Sequence, residues 1–200
     1  TKFIRKNATQ EPIRRLSELQ WDYVIETAEL MAADDVLHER TLFIMSALYG
    51  MYLRISELVD TPRWSPAMKH FYQDMDGNWW FRTVGKGNKE RDITVSSDIL
   101  KALKRYRKSM GLSALPSPGD NLALIPKQKG TGGIGSTRHL REIVQSCFDS
   151  AVQRLNTDGM ESDADSLQSA TVHWIRHTGI SDDVKKRPKE HVRDDAGHSS

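Results

Sequence analysis

Hydrophobic residues recur at helical spacing over residues 18–33, and Ser17 with Gln20 three places on, flanked by Leu16 and Trp21, reads as a capping box with a hydrophobic staple. A first helix is expected there. Asp34-Asp35 opens a second helix, whose Leu42-Phe43-Ile44-Met45 and Ala47-Leu48-Tyr49 are apolar nearly all round, as in a helix at the centre of a core. Gly50 interrupts it. From Pro62 the period changes: residues 67–73, 79–84 and 92–95 read as short strands, separated by turn signals at Asp76-Gly77-Asn78 and Gly85-Lys86-Gly87-Asn88. Ser96-Ser97 then cap a helix over 98–110. A Pro/Gly/Ser loop covers 111–121 and a short apolar run 122–125. Ser136 or Thr137 is the expected N-cap of a helix over 138–155, packing through Leu140, Ile143, Val144, Cys147, Phe148 and Val152. The acidic stretch 156–166 reads as a solvated loop, and 179–196 as a polar, interrupted segment. The pattern predicts an α+β class: a mainly helical single domain with a small three-stranded antiparallel sheet.

Composition narrows this only slightly. Two hundred residues at 38% hydrophobic content suffice for one sizeable core and do not require two. We expect a basic arm over 1–12 and one domain over 13–200, and the first residue, Thr1, reads as that of a fragment. The single cysteine, Cys147, excludes an internal disulfide framework and fits a reducing compartment. No apolar run approaches the roughly 20 residues needed to span a bilayer, so a soluble cytoplasmic protein without membrane contact is expected. The net charge of +2 decides nothing, but its distribution is informative. Arg82, Lys86, Lys89, Arg91, Lys101, Lys104, Arg105, Arg107 and Lys108 face only Glu90, Asp92 and Asp98 in their stretch. That is either an electrostatic footprint for nucleic acid or a solvated helix face.

Three further stretches carry candidate chemistry. His173-Trp174-Ile175-Arg176-His177 sets two imidazoles and a guanidinium toward one side of a helix, with Trp174 and Ile175 turned inward. Imidazole moves protons near neutral pH, and guanidinium matches phosphate geometry. Arg54 sits among apolar neighbours, where an unpaired charge is costly. Either it forms a buried pair with Glu57, or Glu57 orients it and leaves its donors for a phosphate. Lys86 stands between two glycines at a hairpin tip, as an exposed turn residue or as one reaching toward DNA. Gly130, Gly132 and Gly135 match Gly-x-Gly-x-x-Gly, but late in the chain, after antiparallel hairpins and with no acid suitably placed. A dinucleotide site is not expected. The Asp-x-Asp spacing at 163–165 lacks the glycine and glutamate of a calcium loop.

Leu53-Arg54-Ile55-Ser56-Glu57-Leu58, Gly85-Lys86-Gly87-Asn88-Lys89-Glu90-Arg91, His173-x-x-Arg176-His177 and Gly197-His198-Ser199 occur in the order found in the tyrosine recombinases, the phage-integrase family, and the chain resembles their catalytic domain. The resemblance implies site-specific recombination or integration: metal-independent cleavage and rejoining of duplex DNA through a 3′-phosphotyrosyl intermediate. It implies phosphate-binding roles for Arg54 and Arg176, a hairpin lysine in Lys86, histidines in His173 and His198, and supporting roles for Glu57 and His177. The implied partner is double-stranded DNA, with self-assembly on it as a tetramer of the full-length protein. It implies no cofactor, no metal and no small-molecule substrate, and suggests a bacterial or phage origin. Lys89, Arg91, Lys127, Lys129, Arg138 and Arg141 are further candidates for phosphate contact.

Transesterification at a phosphodiester needs cationic donors on the non-bridging oxygens, an acid for the leaving 5′ oxygen and a base for the nucleophile. Arg54, Arg176 and His198 suit the first role, Lys86 the second and His173 the third. Two departures stand out. The family's tyrosine follows the histidine matched by His198 by about nine residues, and none of Tyr23, Tyr49, Tyr52, Tyr72 or Tyr106 lies in that motif, so no nucleophile is assigned and the chain by itself is expected to be inactive. The family's N-terminal DNA-clamping domain is also missing. Around 181–195, where the family has an aliphatic helix, Asp182-Asp183 and Asp194-Asp195 flank Lys185-Lys186-Arg187-Pro188. Two alternatives stay open: a non-cleaving DNA-binding relative, and a metalloenzyme using His173, His177 and His198 or His191.

Overall fold

A computed structural model describes residues 14–197. The first helix, α1 (Glu18–Asp34), starts at the expected box: the Ser17 hydroxyl accepts from the Gln20 backbone N–H, and the Gln20 side chain accepts from the Ser17 N–H at 2.9 Å. Asp35 does not continue into a helix directly; its carboxylate caps a 3₁₀ turn at Val36–His38. Helix α2 (Glu39–Gly50) follows and is the hub of the core. Its Phe43, Ile44, Met45, Ala47 and Leu48 are buried, and α1, α3 (Ser97–Ser109), α4 (Thr137–Thr157) and α6 (Val172–Asp183) all pack on it. An all-apolar circumference is stable only with neighbours on every side, and α2 has them.

The sheet runs β1 (Phe71–Gln73), β2 (Trp79–Val84), β3 (Glu90–Thr94), antiparallel throughout. Phe71 pairs with Phe81 and Phe81 with Ile93, so one buried row crosses all three strands. The expected first strand over 67–73 is shorter than its pattern suggests. Residues 66–69 instead bond to the apolar run near 122: Met68 N–H donates to the Leu122 carbonyl and Leu124 N–H to that of Pro66. Met68–His70 is a 3₁₀ turn.

Three other expectations need correcting. The acidic stretch is not a loop: Glu161–Gln168 forms α5, because Ala164 and Leu167, one turn apart, are buried while the acids sit in its first turn, where the helix dipole favours them. The segment after Gly179 is helical too, continuing α6 to Asp183 and forming α7 (Lys189–Ala196) against β3. The basic stripe is also less continuous than its sequence. Arg107 is buried, donating to Asp120 at 2.8 Å and to the Ser113 carbonyl at 2.8 Å, and exposed Arg82 and Arg105 are paired with Asp92 and Glu39.

Candidate active site

The site begins where α2 ends. Tyr52 adopts a left-handed conformation, φ 53°, with its side chain buried, and this turns the backbone so that Leu53 and Leu58 enter the core while Arg54 stays at the edge. The Arg54 side chain is 32% exposed, and Glu57 is 1% exposed. The sequence-level choice between a buried Arg54–Glu57 pair and an oriented Arg54 is answered by what Glu57 contacts. Its carboxylate accepts the Arg54 backbone N–H at 3.0 Å and the Thr83 hydroxyl at 2.9 Å, and it lies 2.8 Å from Nη1 and 3.0 Å from Nη2 of Arg91. The Arg54 guanidinium reaches it only at 4.0 Å. Among the described residues Arg54 has no closer anionic partner.

Arg54 stands between two open clefts. One, of ≈ 620 Å³, is lined by Arg54, Gly85, Lys86, Lys89, Glu90, Arg91 and Gly197. The other, of ≈ 420 Å³, is lined by residues 53–56 with Thr137, Arg141, Thr171, Val172 and His173. Lys86 is exposed on a tight turn in which Gly87 and Asn88 take φ 74° and 59°, a conformation that glycine and asparagine accept most readily. His173 and His177 are exposed on α6, their rings edge-to-face at 4.7 Å. Burial, the neighbouring His177 and the Arg176 and Arg54 charges hold the His173 pKa below the ordinary histidine value.

Arg176 does not share that exposed face. It lies at the inner edge of the arc and is buried, donating from Nη1 to the Tyr52 carbonyl and from Nη2 to the Ala196 carbonyl at 2.7 Å. Burial beside Arg54 and Arg91 lowers its pKa to about 10, which still leaves it charged at neutral pH. A guanidinium carries five N–H donors, so these two bonds leave three. Arg54, Arg91 and Arg176 gathered near the buried Glu57 carboxylate make this an electropositive corner, suited to an anion with several acceptor oxygens.

The other candidates are spread more widely. Arg141 lines the His173 cleft, Lys89 lines the Lys86 cleft, and Lys127 and Lys129 lie on the glycine-rich loop. Arg138 is largely exposed and pairs with Glu142. Arg91 is directed inward, with Nε donating to the Asp195 carbonyl at 2.9 Å. His198 lies outside the described residues. The glycine-rich loop is a structural turn: Gly133 N–H donates to Asp60 at 2.9 Å, and Ser136 caps α4. Among the described residues no cluster of three His, Cys, Asp or Glu side chains could hold a metal ion, and no helix is long and apolar enough to cross a membrane.

Sequence reasoning missed a polar network behind the site. The Tyr52 hydroxyl donates to Asp183 and accepts from Arg187 at 2.8 Å; Arg187 pairs with Asp195 at 2.6 Å, and Asp195 accepts the Thr94 backbone N–H at 3.1 Å. Tyr49 donates to Asp182 at 2.6 Å. The signal lies in the doubled aspartates of 182–183 and 194–195, which the family pattern marks only as departures from an aliphatic helix.

No protein-family model and no curated protein matches this sequence. Solved structures do. The XerH site-specific recombinase bound to its difH substrate in a pre-cleavage complex superposes with a TM-score of 0.64 at 19% identity, over 97% of this chain and 50% of that one. This chain has a tyrosine-recombinase-like fold. XerA recombinase matches with a TM-score of 0.61 at 20% identity, over 93% of this chain and 56% of that one. The Tn1549 transposon integrase, in complex with circular intermediate DNA, gives 0.53 at 20% identity, over 97% of this chain and 60% of that one. The chain thus spans about half the length of the recombinase chains it resembles. The mainly helical domain with a small three-stranded antiparallel sheet, expected from the sequence, is the architecture observed, and it is shared with these recombinase structures.

Proposed function

We propose that this chain is the catalytic domain of a site-specific tyrosine recombinase. The observation that carries the reading is Arg54, a guanidinium at the junction of two clefts, with Lys86 lining one and His173 the other. A phosphodiester at that junction meets Arg54, the remaining donors of Arg176, and His198 on its non-bridging oxygens. A tyrosine oxygen attacks phosphorus and forms the P–O bond to the 3′ side, as the bond to the 5′ oxygen breaks. His173 takes the phenolic proton, and Lys86 gives a proton to the departing 5′ oxygen. Ligation reverses both transfers. Guanidinium groups positioned on the transferring phosphoryl oxygens contribute roughly 10³ to 10⁵ in rate in related chemistry, and in this reading side chains alone meet the developing charge, without a metal or other cofactor.

The five tyrosines of this chain are not the nucleophile. Tyr49 and Tyr52 donate to Asp182 and Asp183, Tyr23 to Asp158 and Tyr106 to the Leu124 carbonyl, while Tyr72 lies beneath Arg82. All five have phenol pKa values raised above the ordinary one, by burial or by the nearby carboxylates. In this reading the attacking tyrosine is supplied from outside these 200 residues, in cis or from another subunit. Lys89, Lys127, Lys129, Arg138 and Arg141 hold flanking phosphates, His177 supports His173, and the full-length protein assembles on duplex DNA as a tetramer.

The test uses the full-length protein and a duplex it selects from a randomised pool. Denaturing gels should reveal a covalent protein–DNA adduct with the wild type and none with Arg54→Ala or Arg176→Ala, both still folded by circular dichroism. Tight binding with no adduct from the wild type would instead identify a non-cleaving DNA-binding protein.

A further inference from the structure

The side chain at the centre of this site is Arg91, and its geometry is unlike that of a phosphate contact. It is 12% exposed, and each nitrogen of its guanidinium has a protein acceptor: Nη1 and Nη2 on the two oxygens of Glu57, Nε on the backbone carbonyl of Asp195. Its flanks are equally closed. A Cβ on Gly85 would lie 2.7 Å from Arg91 Nη1, and one on Gly197 would lie 3.1 Å from Cδ and 3.2 Å from Nε. A side chain at Gly85 would push the Arg91 fork aside, and Gly197 is held to glycine by its left-handed backbone, with Arg91 packed closely against it.

The three segments meeting at Arg91 are the ones that deliver the proposed catalytic groups. Glu57 closes the 3₁₀ turn that opens at Arg54. Gly85 precedes Lys86 at the hairpin tip, and Gly197 ends α7 in a left-handed conformation, φ 70°, next in sequence to His198. We propose that Arg91 is a positioning residue: by saturating Glu57 and clamping the end of α7, it leaves the Arg54 guanidinium open and sets the Arg54 turn, the Lys86 hairpin and the end of α7 in register. This rests on the recombinase reading. A lysine in its place keeps the charge beside Glu57 but, as a compact point charge, cannot form the fork, so it restores only part of the function.

Two measurements on the full-length protein separate positioning from phosphate contact. The first is the salt dependence of binding to a short mixed-sequence duplex. Arg91→Met should keep the wild-type slope of log Kd against log salt, whereas loss of a phosphate contact lowers that slope by about one unit. The second is the rate of covalent adduct formation at saturating concentration of the selected duplex. Arg91→Met and Glu57→Gln should each slow it on the order of 10²-fold, the cost of a misplacement of about 1 Å in a catalytic array. The double variant should be no slower than either single one, because the two act as a unit, and Arg91→Lys should fall between. Should Arg91→Met fail to fold, Arg91→Gln carries both measurements. Unchanged adduct formation, a reduced salt slope, or independent losses that multiply in the double variant would each overturn the inference. A wild type that forms no adduct overturns the recombinase reading itself, and this inference with it.

Discussion

At Arg54 the decisive fact is which guanidinium the buried carboxylate holds. Spacing alone allowed Glu57 to neutralise Arg54, since residues three apart on a helical turn can meet. A partner 34 residues away in sequence, Arg91, makes the close contacts instead. No periodicity within the Arg54 stretch contains that information, because it depends on β3 passing beside the 3₁₀ turn. For His173 the legible part was the residue type and the structural part its environment. Burial, together with the His177, Arg176 and Arg54 charges, disfavours the imidazolium, so the folded pKa lies below 6.5. A general base must be neutral, and this one stays neutral to lower pH than a free histidine. The acid limb of the adduct-formation rate should therefore have its midpoint below pH 6.5, and His173→Gln should abolish that limb along with most of the rate. Stability carries the same sign. His70, His173 and His177 all bind protons less readily folded than unfolded. Melting temperature should therefore fall as pH drops below about 6.5, and His173→Asn should flatten that fall.

Among the elements, those with a strong local signal were read closely and those that depend on a neighbour were not. The Ser17–Gln20 box and the Ser136 cap satisfy helix N–H groups from within the same stretch, so α1 and α4 begin where their sequences indicate. Helix α5 is short and acidic and is stable only because Ala164 and Leu167 are buried, which polarity averaged over the stretch conceals. The crossing of α6 over α2 is set by Gly179, where a Cβ would overlap the Tyr49 backbone carbonyl. Gly179→Ala should destabilise the domain by about 3 kcal/mol, the upper end of overpacking costs, because backbone on both sides has to move. Urea unfolding followed by circular dichroism measures it. Helices α6 and α7 also depend on the Tyr52 hydroxyl, which joins Asp183 to Arg187. Tyr52→Phe should cost about 1–3 kcal/mol in the same assay, the worth of hydrogen bonds to two charged, half-buried side chains, yet keep the backbone carbonyl that holds Arg176.

Across the whole molecule, a net charge of +2 conceals a strongly uneven surface. Several basic side chains of the sequence stripe are committed to carboxylates: Arg82 to Asp92, Arg105 to Glu39, Arg107 to Asp120 and Arg91 to Glu57. Lys86 and Lys89, on the Lys86 cleft, are not, among the described residues. Duplex binding should accordingly depend more on Lys86 and Lys89 than on Arg82 or Arg105. Removing both lysines should reduce the salt slope by about two units, whereas Arg82→Ala should leave it within experimental error. Fluorescence anisotropy across a salt series decides between them.

The sequence by itself determined the helical core, the hairpin that presents Lys86 and the order of the motifs, because caps, turns and apolar periods are local properties. The tertiary structure alone decided which charges remain open. Arg54, Arg91, Arg107 and Arg176 are chemically identical along the chain, and a guanidinium becomes a ligand site or a structural clamp according to the acceptors that distant segments bring to it. The end of α7 and the Tyr52 turn make that assignment for Arg91 and Arg176, and the loop carrying Ser113 and Asp120 makes it for Arg107.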